Sequence, residues 1–198
     1  MSVKERIIEE SVELFRNKGI KSTTMDDIAK HIGISKRTIY ENFKDKETLL
    51  IDSLFFLFQE NRKFMEKVFN ESDNVIEAII NILKKGTEFA QNRQFIIIED
   101  IKKYYPQVYK EMLVCHDSDK QKTMQKLILA GIKQEVFRDD LNPEIIAYVF
   151  TRQSEGLLIK DKSLDSFSRV ELFNNMVIAF IRGLCTTKGI EILDNLIS

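Results

Sequence analysis

Residues 24–46 read TMDDIAKHIGISKRTIYENFKDK and contain the signals for two short helices joined by a tight turn. Thr24 and Asp27 have the spacing of a helix start, because a hydroxyl caps free backbone N–H groups and an acid in the first turn complements the helix dipole. Gly33 stands where a left-handed residue ends a helix without steric cost. Ser35 is then placed to cap the second helix.

The second helix predicted in this stretch has one apolar side. Ile39 and Phe43 are four residues apart, so they share a face that can be buried. The flanks and the opposite side carry cationic, hydroxyl, acidic and amide groups, namely Arg37, Thr38, Tyr40, Glu41 and Asn42. This pattern is typical of a helix-turn-helix whose second helix enters the DNA major groove. The alternative is an ordinary helical hairpin with a solvated face, and the agreement of cap, turn and charge favours DNA binding.

The same stretch resembles the DNA-binding domain of TetR-type transcriptional regulators. The segments that carry the resemblance are DIA (27–29), GIS (33–35), TIY (38–40), FK (43–44) and KETLL (46–50). It implies an all-α chain with a three-helix helix-turn-helix domain over residues 1–46 and a larger helical effector-binding and dimerisation domain over 47–198. In that family the residues that match Thr38, Tyr40 and Lys46 contact DNA, largely its backbone.

Composition indicates a folded helical chain whose affinity for nucleic acid must be local. The 198 residues are 43% hydrophobic and 31% charged, with only two prolines, which is unlike a disordered protein. The net charge is −1, so the molecule as a whole does not attract polyanions. Between residues 16 and 46, however, eight basic residues face four acidic ones, which gives that segment a charge of +4.

Few residues are available for catalysis or metal binding. The only histidines are His31 and His116, and neither has a second histidine at ligand spacing, which disfavours a metal hydrolase or a helical oxygenase. Cys115 adjoins His116, but neighbours on a helix point about 100° apart, and no third group completes a nucleophilic site. We therefore expect no enzymatic activity, no metal and no cofactor.

The two cysteines and the lengths of the apolar runs indicate the cellular compartment in which the protein is expected. Cys115 and Cys185 cannot form a disulfide framework or a zinc site, and both are expected to be buried free thiols. The N-terminus has no apolar run of signal-peptide length, and the longest apolar runs, such as 95–98, are far too short to cross a membrane. A cytoplasmic protein without a membrane segment is expected.

Apolar spacing predicts helices along the rest of the chain. The first, over residues 2–18, should pack on Ile28, Ile32, Ile34, Ile39 and Phe43. The others are predicted at 44 or 45 to about 70, 74–90, 95–104, 106 to about 134, 142 to about 160, 166 or 168 to about 186, and 189–193, with a loop at 161–165. The polar run 116–120 is either a kink or an exposed segment of its helix.

The helix that ends near residue 186 has two apolar stripes. One contains Val170, Phe173, Val177, Phe180 and Leu184, and the other contains Leu172, Met176, Ala179 and Gly183. Its own domain can cover one stripe, and the small residues of the other permit close approach of a second copy. We therefore expect a homodimer through the helices at about 142–160 and 168–186, as the resemblance also implies. The alternative is a fully buried central helix of a monomer.

The predicted partner of the N-terminal domain is a double-stranded DNA operator. Lys36 and Arg37, in the first turn of the second helix, are the candidates for reading guanine O6 and N7. Hydroxyl, amide and ammonium groups nearby are suited to phosphate oxygens. The full predicted contact set is Thr24, Ser35, Lys36, Arg37, Thr38, Tyr40, Asn42 and Lys46. A twofold dimer presents two such helices, so the operator should be near-palindromic.

An effector pocket between the later helices is implied by the resemblance alone. Its candidate lining is Phe58, Phe89, Tyr105, Tyr109, Met112, His116, Arg152 and Gln153. Because the chain has 14 Phe and 6 Met and no cationic cluster, a small apolar or aromatic effector is expected. The alternatives are that these aromatic residues and methionines form ordinary core, that Arg152 pairs with Glu155, and that the larger domain docks a protein partner.

Overall fold

The computed structural model describes the backbone of residues 1–91, 94–158 and 166–197, and side chains outside 85–98, 112–117, 154–158, 169–170 and 173. Its elements are α1 (Val3–Lys18), α2 (Met25–Ile32), α3 (Lys36–Asn42), α4 (Lys46–Glu71), α5 (Val75–Gln91), α6 (Gln94–Tyr104), α7 (Pro106–Lys133), α8 (Pro143–Leu158), α9 (Arg169–Leu172), a π-helix (Phe173–Ile178), α10 (Ala179–Leu184) and α11 (Thr187–Ile197). The all-α fold class is confirmed. Within the described ranges, β pairing is limited to one isolated antiparallel bridge, between Phe137 and Cys185.

The chain folds as two compact units. The first comprises Met1–Phe64 and Gln91–Leu113. Its core is formed by Ile7, Leu14, Phe15, Ile20, Met25, Ile28, Ala29, Ile32, Ile39, Phe43, Leu49, Leu50, Leu54, Ile101 and Val108. The predicted packing of α1 on α2 and α3 is therefore confirmed, with Ile34 partly buried at its edge. Ile101 of α6 and Val108 of α7 also belong to this core, whereas a functional boundary at residue 46 stays a prediction.

Local signals in the sequence explain where the helices of the first unit begin and end. Ser2 accepts a hydrogen bond from Glu5 N, and the Glu5 carboxylate accepts one from Ser2 N at 2.7 Å, so α1 starts with a capping box. Gly19 ends it with φ 82°. The Asp45 carboxylate accepts from the backbone N–H of Thr48 at 2.8 Å and fixes the start of α4. These boundaries lie within about two residues of those predicted.

The second unit comprises Met65–Ala90 and Val114–Ser198. One face of α5 contributes Val75, Ile76, Ile79 and Ile80 to its core, and the other elements contribute Leu127, Ile128, Val136, Phe137, Phe150, Val177, Ile178, Ile181, Leu184, Cys185 and Leu193. At its start α8 has the predicted cap, because Asn142 Oδ1 accepts from the backbone N–H groups of Glu144 and Ile145 at 3.1 and 3.2 Å.

The last long helix differs from the single α-helix predicted up to about residue 186. Its middle, Phe173–Ile178, is a π-helix, in which Ala179 N donates to Asn174 O five residues back. Within this segment the carbonyl oxygen of Met176 accepts a hydrogen bond from the side-chain amide of Gln153 at 2.8 Å. The spacing of apolar residues does not reveal one extra residue in a turn, so the sequence did not predict the π-helix.

The remaining helix predictions hold with smaller changes. Helix α7 runs unbroken through 116–120, where Ser118 and Asp119 are exposed. Helix α11 is longer than the predicted 189–193, because the Thr186 hydroxyl accepts from Gly189 N at 3.2 Å and starts it earlier. The predicted loop at 161–165 and the end of α8 beyond Leu158 lie outside the described residues. No helix in the described part of the chain is long and apolar enough to cross a membrane.

Cys185 lies at the end of α10 and is a buried free thiol, as predicted. Burial raises the pKa of its thiol to about 11, and its Sγ donates to Ile181 O at 3.2 Å. The thiol is therefore protonated at neutral pH and packs as a small apolar group. The side chain of Cys115 lies outside the described part of the structure.

A clasp joins the loop after α7 to the junction of α10 and α11. Arg138 N donates to Leu184 O at 2.9 Å, and Thr186 N donates to Val136 O at 3.1 Å. Gly189 lies directly against this clasp, because a Cβ atom built on it would be 2.1 Å from Val136 O. The obstacle is backbone and cannot turn away, so the position requires glycine.

We therefore expect Gly189→Ala to destabilise the protein, although glycine to alanine normally favours a helix by roughly 1 kcal/mol. Opening the clasp should cost about 1–3 kcal/mol, the range of overpacked sites, measured as the midpoint of urea unfolding. Glu191→Ala, at an exposed position of the same helix, is the control. Equal or greater stability of Gly189→Ala would contradict the close packing of Gly189 against Val136 O.

Candidate nucleic-acid interface

The turn between α2 and α3 is built as the sequence predicts. Thr24 Oγ1 accepts from Asp27 N at 3.1 Å, and the Asp27 carboxylate accepts from Thr24 N at 2.9 Å. Gly33 adopts the left-handed conformation with φ 74°, and both Gly33 N and Ile34 N donate to Ala29 O at 3.0 Å. Reciprocal capping and a left-handed glycine thus define both ends of α2.

Helix α3 is held at its start and along its inner face. Ser35 Oγ accepts from Thr38 N at 3.0 Å, and Ile39 and Phe43 are 0% and 1% exposed. Arg6 of α1 donates to Ile32 O at 3.0 Å, which satisfies a carbonyl at the end of α2. The orientation of α3 in the first unit is therefore fixed by buried contacts along its inner face and by capping at its start.

The outer face of α3 presents the longest polar side chains. The Arg37 side chain is 87% exposed, and its Nε donates to Glu41 Oε1 at 2.8 Å. Tyr40 is exposed as well. An exposed arginine and tyrosine on a short helix after a tight turn can reach base edges and phosphates.

Lys36 is tied to the neighbouring helix. Its Nζ lies 2.7 Å from Asp26 Oδ1 and 3.0 Å from Oδ2, across the α2–α3 turn. The hydrogen bond to Asp26 raises the pKa of Lys36, so the ammonium remains charged. The pair is exposed and accessible to a competing phosphate.

Several other predicted contact residues already have structural partners. Thr24 serves the cap of α2, and Ser35 Oγ lies 2.8 Å from Thr38 Oγ1 at the cap of α3. Asn42 is half-buried, and its amide donates to Thr38 O at 2.8 Å. The residue types that favour caps are the same types that bind phosphate, so the sequence could not separate the two roles.

Lys46 has a structural partner too. Its Nζ donates to the carbonyl oxygen of Ile20, in the loop between α1 and α2. Burial lowers the pKa of Lys46, and nearby Asp100 and Asp27 act in the opposite direction. In the same loop Lys21 N donates to Asp100 Oδ2 of α6 at 3.0 Å. The first residue of α4 and Asp100, within α6, are thus both joined to this loop.

Sequence reasoning missed three residues that organise the site. Arg6, Asp26 and Asp100 bind partners that are 26, 10 and 79 positions away. Local spacing holds no signal for pairs that meet only after folding.

The predicted effector residues whose side chains are described belong to both units. Phe58, Tyr105 and Tyr109 are partly buried against the core of the first unit, and burial raises the pKa of Tyr105. In the second unit, Arg152 lies 5.5 Å from the Tyr148 ring centroid, and Gln153 is bound to the π-helix. The side chains of Phe89, Met112 and His116 lie outside the described residues. Across the part of the chain whose side chains are described, no group of three His, Cys, Asp or Glu residues could hold a metal ion.

Comparison with known proteins points to one family. The sequence model described as bacterial regulatory proteins, tetR family, matches residues 7–52. The HTH-type transcriptional regulator YerO of Bacillus subtilis is 32% identical over 54% of this chain and 42% of its own length. The biofilm operon icaADBC negative transcriptional regulator IcaR of Staphylococcus aureus is 29% identical over 56% and 53%, respectively. The chain thus spans about half the length of the curated relatives it matches.

The fold extends the likeness along the chain. A TetR-family transcriptional regulator from Pectobacterium atrosepticum superposes with a TM-score of 0.70 over 93% of this chain and 94% of that one, at 17% identity. At that identity the likeness shows the fold alone. It agrees with an N-terminal helix-turn-helix followed by a larger helical region.

The capping carboxylate of α2 predicts a dependence of stability on pH. Hydrogen bonds from Thr24 lower the pKa of Asp27 in the folded protein, so folding favours the ionised form. The resulting stabilisation is present above the unfolded pKa, near 4, and is lost as the pH falls through the lower folded value. We expect Asp27→Asn to unfold at lower urea concentration than the wild type at pH 7, and the gap to narrow as the pH falls below 4.

The control is Glu9→Gln, which alters an exposed carboxyl on α1. A gap between wild type and Asp27→Asn that stayed constant from pH 7 to pH 2.5 would show that the charge of Asp27 does not stabilise α2.

Proposed function

Because this chain belongs to the TetR-type transcriptional regulators, we propose that it acts as a homodimeric repressor on a near-palindromic operator and is released by a small-molecule effector. The observation that carries the proposal is the outer face of α3. Arg37 and Tyr40 are exposed there, while Ile39 and Phe43 are fully buried on the opposite side. Such a helix can enter the major groove without unfolding its own domain.

Two groups of predicted contacts take different roles in this proposal. Arg37 reads base edges from the first turn of α3, and Lys36 and Tyr40 bind the backbone. The second group holds the helices in place, and its unused hydrogen-bond donors contact phosphate. Its members are Thr24, Ser35, Thr38, Asn42 and Lys46. The overall charge of −1 implies that binding depends on a small number of such contacts.

Repression is supported by a relative. IcaR of S. aureus is described as a negative transcriptional regulator, and its likeness covers more than half of this chain. The role is a binding role in the cytoplasm, where the operator is, without a catalysed reaction or a cofactor.

Dimerisation is supported by the surfaces of α8 and α10. Helix α8 exposes Ile145, Tyr148 and Val149 at spacings that share one face. On α10 the small residues Ala179 and Gly183 are exposed, and a Cβ on Gly183 would have nothing within 4 Å. A second copy of these helices would bury the apolar face of α8, and the small residues of α10 would let the two backbones approach closely.

The effector proposed is a small apolar or aromatic molecule bound among the helices after α3. Such a ligand releases DNA only if it binds the dimer more tightly at one spacing of its two α3 helices than at another. The long helix α4, whose first residue is joined to the α1–α2 loop, is the element proposed to carry the movement. The alternative is a DNA-binding dimer regulated by a protein partner, for which exposed apolar residues such as Phe55 are the supporting observation.

Selection of duplexes from a random pool tests the proposed function directly. The wild type should enrich an inverted repeat. Arg37→Ala should relax base preference at one or two positions of each half-site, at a cost of about 1–3 kcal/mol in discrimination. Lys46→Ala should weaken binding to all sequences and reduce the salt dependence by about one unit of slope, with circular dichroism to confirm folding. Equal binding of the wild type to random and selected duplexes would overturn the proposal.

Sedimentation of an interface variant tests the dimer. Ile145 is 59% exposed, so Ile145→Glu should leave the protomer folded while placing a charge in the proposed interface. We expect dimerisation to weaken by at least about tenfold, which corresponds to about 1.4 kcal/mol. Phe55→Glu, at an exposed apolar position of α4, is the matched control. A dimer as tight as the wild type in Ile145→Glu would place the interface elsewhere.

A further inference from the structure

We propose that Arg37 and Glu41 read DNA as one unit, in which Arg37 binds a guanine and Glu41 accepts a hydrogen bond from the amino group of an adjacent cytosine or adenine. The inference rests on the proposed DNA-binding function and deepens it by assigning a base specificity. It makes Glu41 a specificity-determining residue.

The geometry of the pair leaves both partners able to bind bases. Arg37 Nε donates to Glu41 Oε1 at 2.8 Å, one helical turn apart, and the two side chains are 87% and 57% exposed. This contact uses one of the five guanidinium N–H groups and one carboxylate oxygen. Within the described residues neither side chain has another hydrogen-bond partner. The outer guanidinium edge and the second carboxylate oxygen therefore remain available.

The stability of α3 does not explain the pair. An exposed i, i+4 ion pair contributes little to a helix, and α3 already has a capping serine and two buried anchors. A carboxylate on the DNA-facing surface is repelled by phosphates. It is tolerated in the major groove where it finds a donor, and the donors there are cytosine N4 and adenine N6.

The arginine supplies the complementary half of the recognition. Guanine O6 and N7 are acceptors that suit a guanidinium bidentately. Because Glu41 already holds Nε, the guanidinium plane is oriented before DNA arrives, and less side-chain freedom is lost on binding. The unit therefore favours a guanine next to a base that carries an amino group in the major groove.

Lys36, the other cation of α3, is paired in a different way from Arg37. Lys36 binds both carboxylate oxygens of Asp26, which belongs to α2. That pair spans two helices and offers a compact point charge, which suits phosphate. The Arg37–Glu41 pair lies on α3 alone and enters the groove with it as a single group.

Glu41→Gln tests the assignment, with base preference measured by selection from random duplexes. Glutamine keeps the length of the side chain and binds adenine bidentately. We expect the position beside the guanine to lose tolerance for cytosine and to shift toward adenine, with discrimination between the two changing at least about tenfold. Affinity for non-specific DNA should stay the same or rise, because a negative charge is removed.

Two controls separate this role from a general charge effect. Glu60→Gln removes the carboxylate of an exposed pair on α4, whose oxygen lies 2.9 Å from Lys63 Nζ, and it should not alter base preference. In Arg37→Ala, adding Glu41→Gln should change discrimination at the position beside the guanine by much less than tenfold, because the contact that orders the two side chains is already absent.

If Glu41→Gln changes affinity for all duplexes by one common factor and leaves base preference unchanged, the carboxylate reads no base and the inference is overturned. In that case the wild type still selects an operator, and the proposed function stands. If the wild type selects no sequence, the proposed function itself fails, and the inference fails with it.

Discussion

The presentation of α3 depends on the burial of two side chains. A helix of seven residues is far too short to persist alone in water, and its intrinsic propensity cannot offset the entropy of ordering it. Ile39 and Phe43 supply what is missing, since both are almost fully removed from solvent in a core that also takes residues from α1, α2, α4, α6 and α7. Every polar group on the outer face is therefore positioned by apolar contacts on the inner one.

Charge on this surface is distributed in pairs. Lys36 is matched by Asp26 and Arg37 by Glu41, while Lys46 is held by a backbone carbonyl. Paired cations attract a polyanion less at long range than free ones do, because each acid reduces the local potential. The arrangement favours recognition at contact over non-specific attraction, in keeping with a chain whose net charge is close to zero.

The sequence contained the helix-turn-helix but not the contacts that hold its side chains. Thr24, Gly33 and Ser35 act within four positions of themselves, so their spacing alone predicted α2, the turn and α3. The partners of Arg6 and Asp100 lie far along the chain and are brought near only by folding. The π-helix escaped for another reason, since one extra residue in a turn leaves a mostly apolar segment apolar. The predicted effector residues stay a prediction, because aromatic residues at helical spacing serve a core as readily as a pocket.

The π-helix has a consequence for how this chain can vary. Its six residues, Phe173–Ile178, hold one residue more than the same turn of an α-helix would. Deleting one of them and rewinding the segment as an ordinary α-helix would therefore leave Ala179, Gly183 and Leu184 on the sides that they now face. A one-residue deletion within a regular α-helix would instead rotate everything after it by about 100°. A change of one residue in length is consequently easier to accommodate in this segment than in the regular helices of the chain.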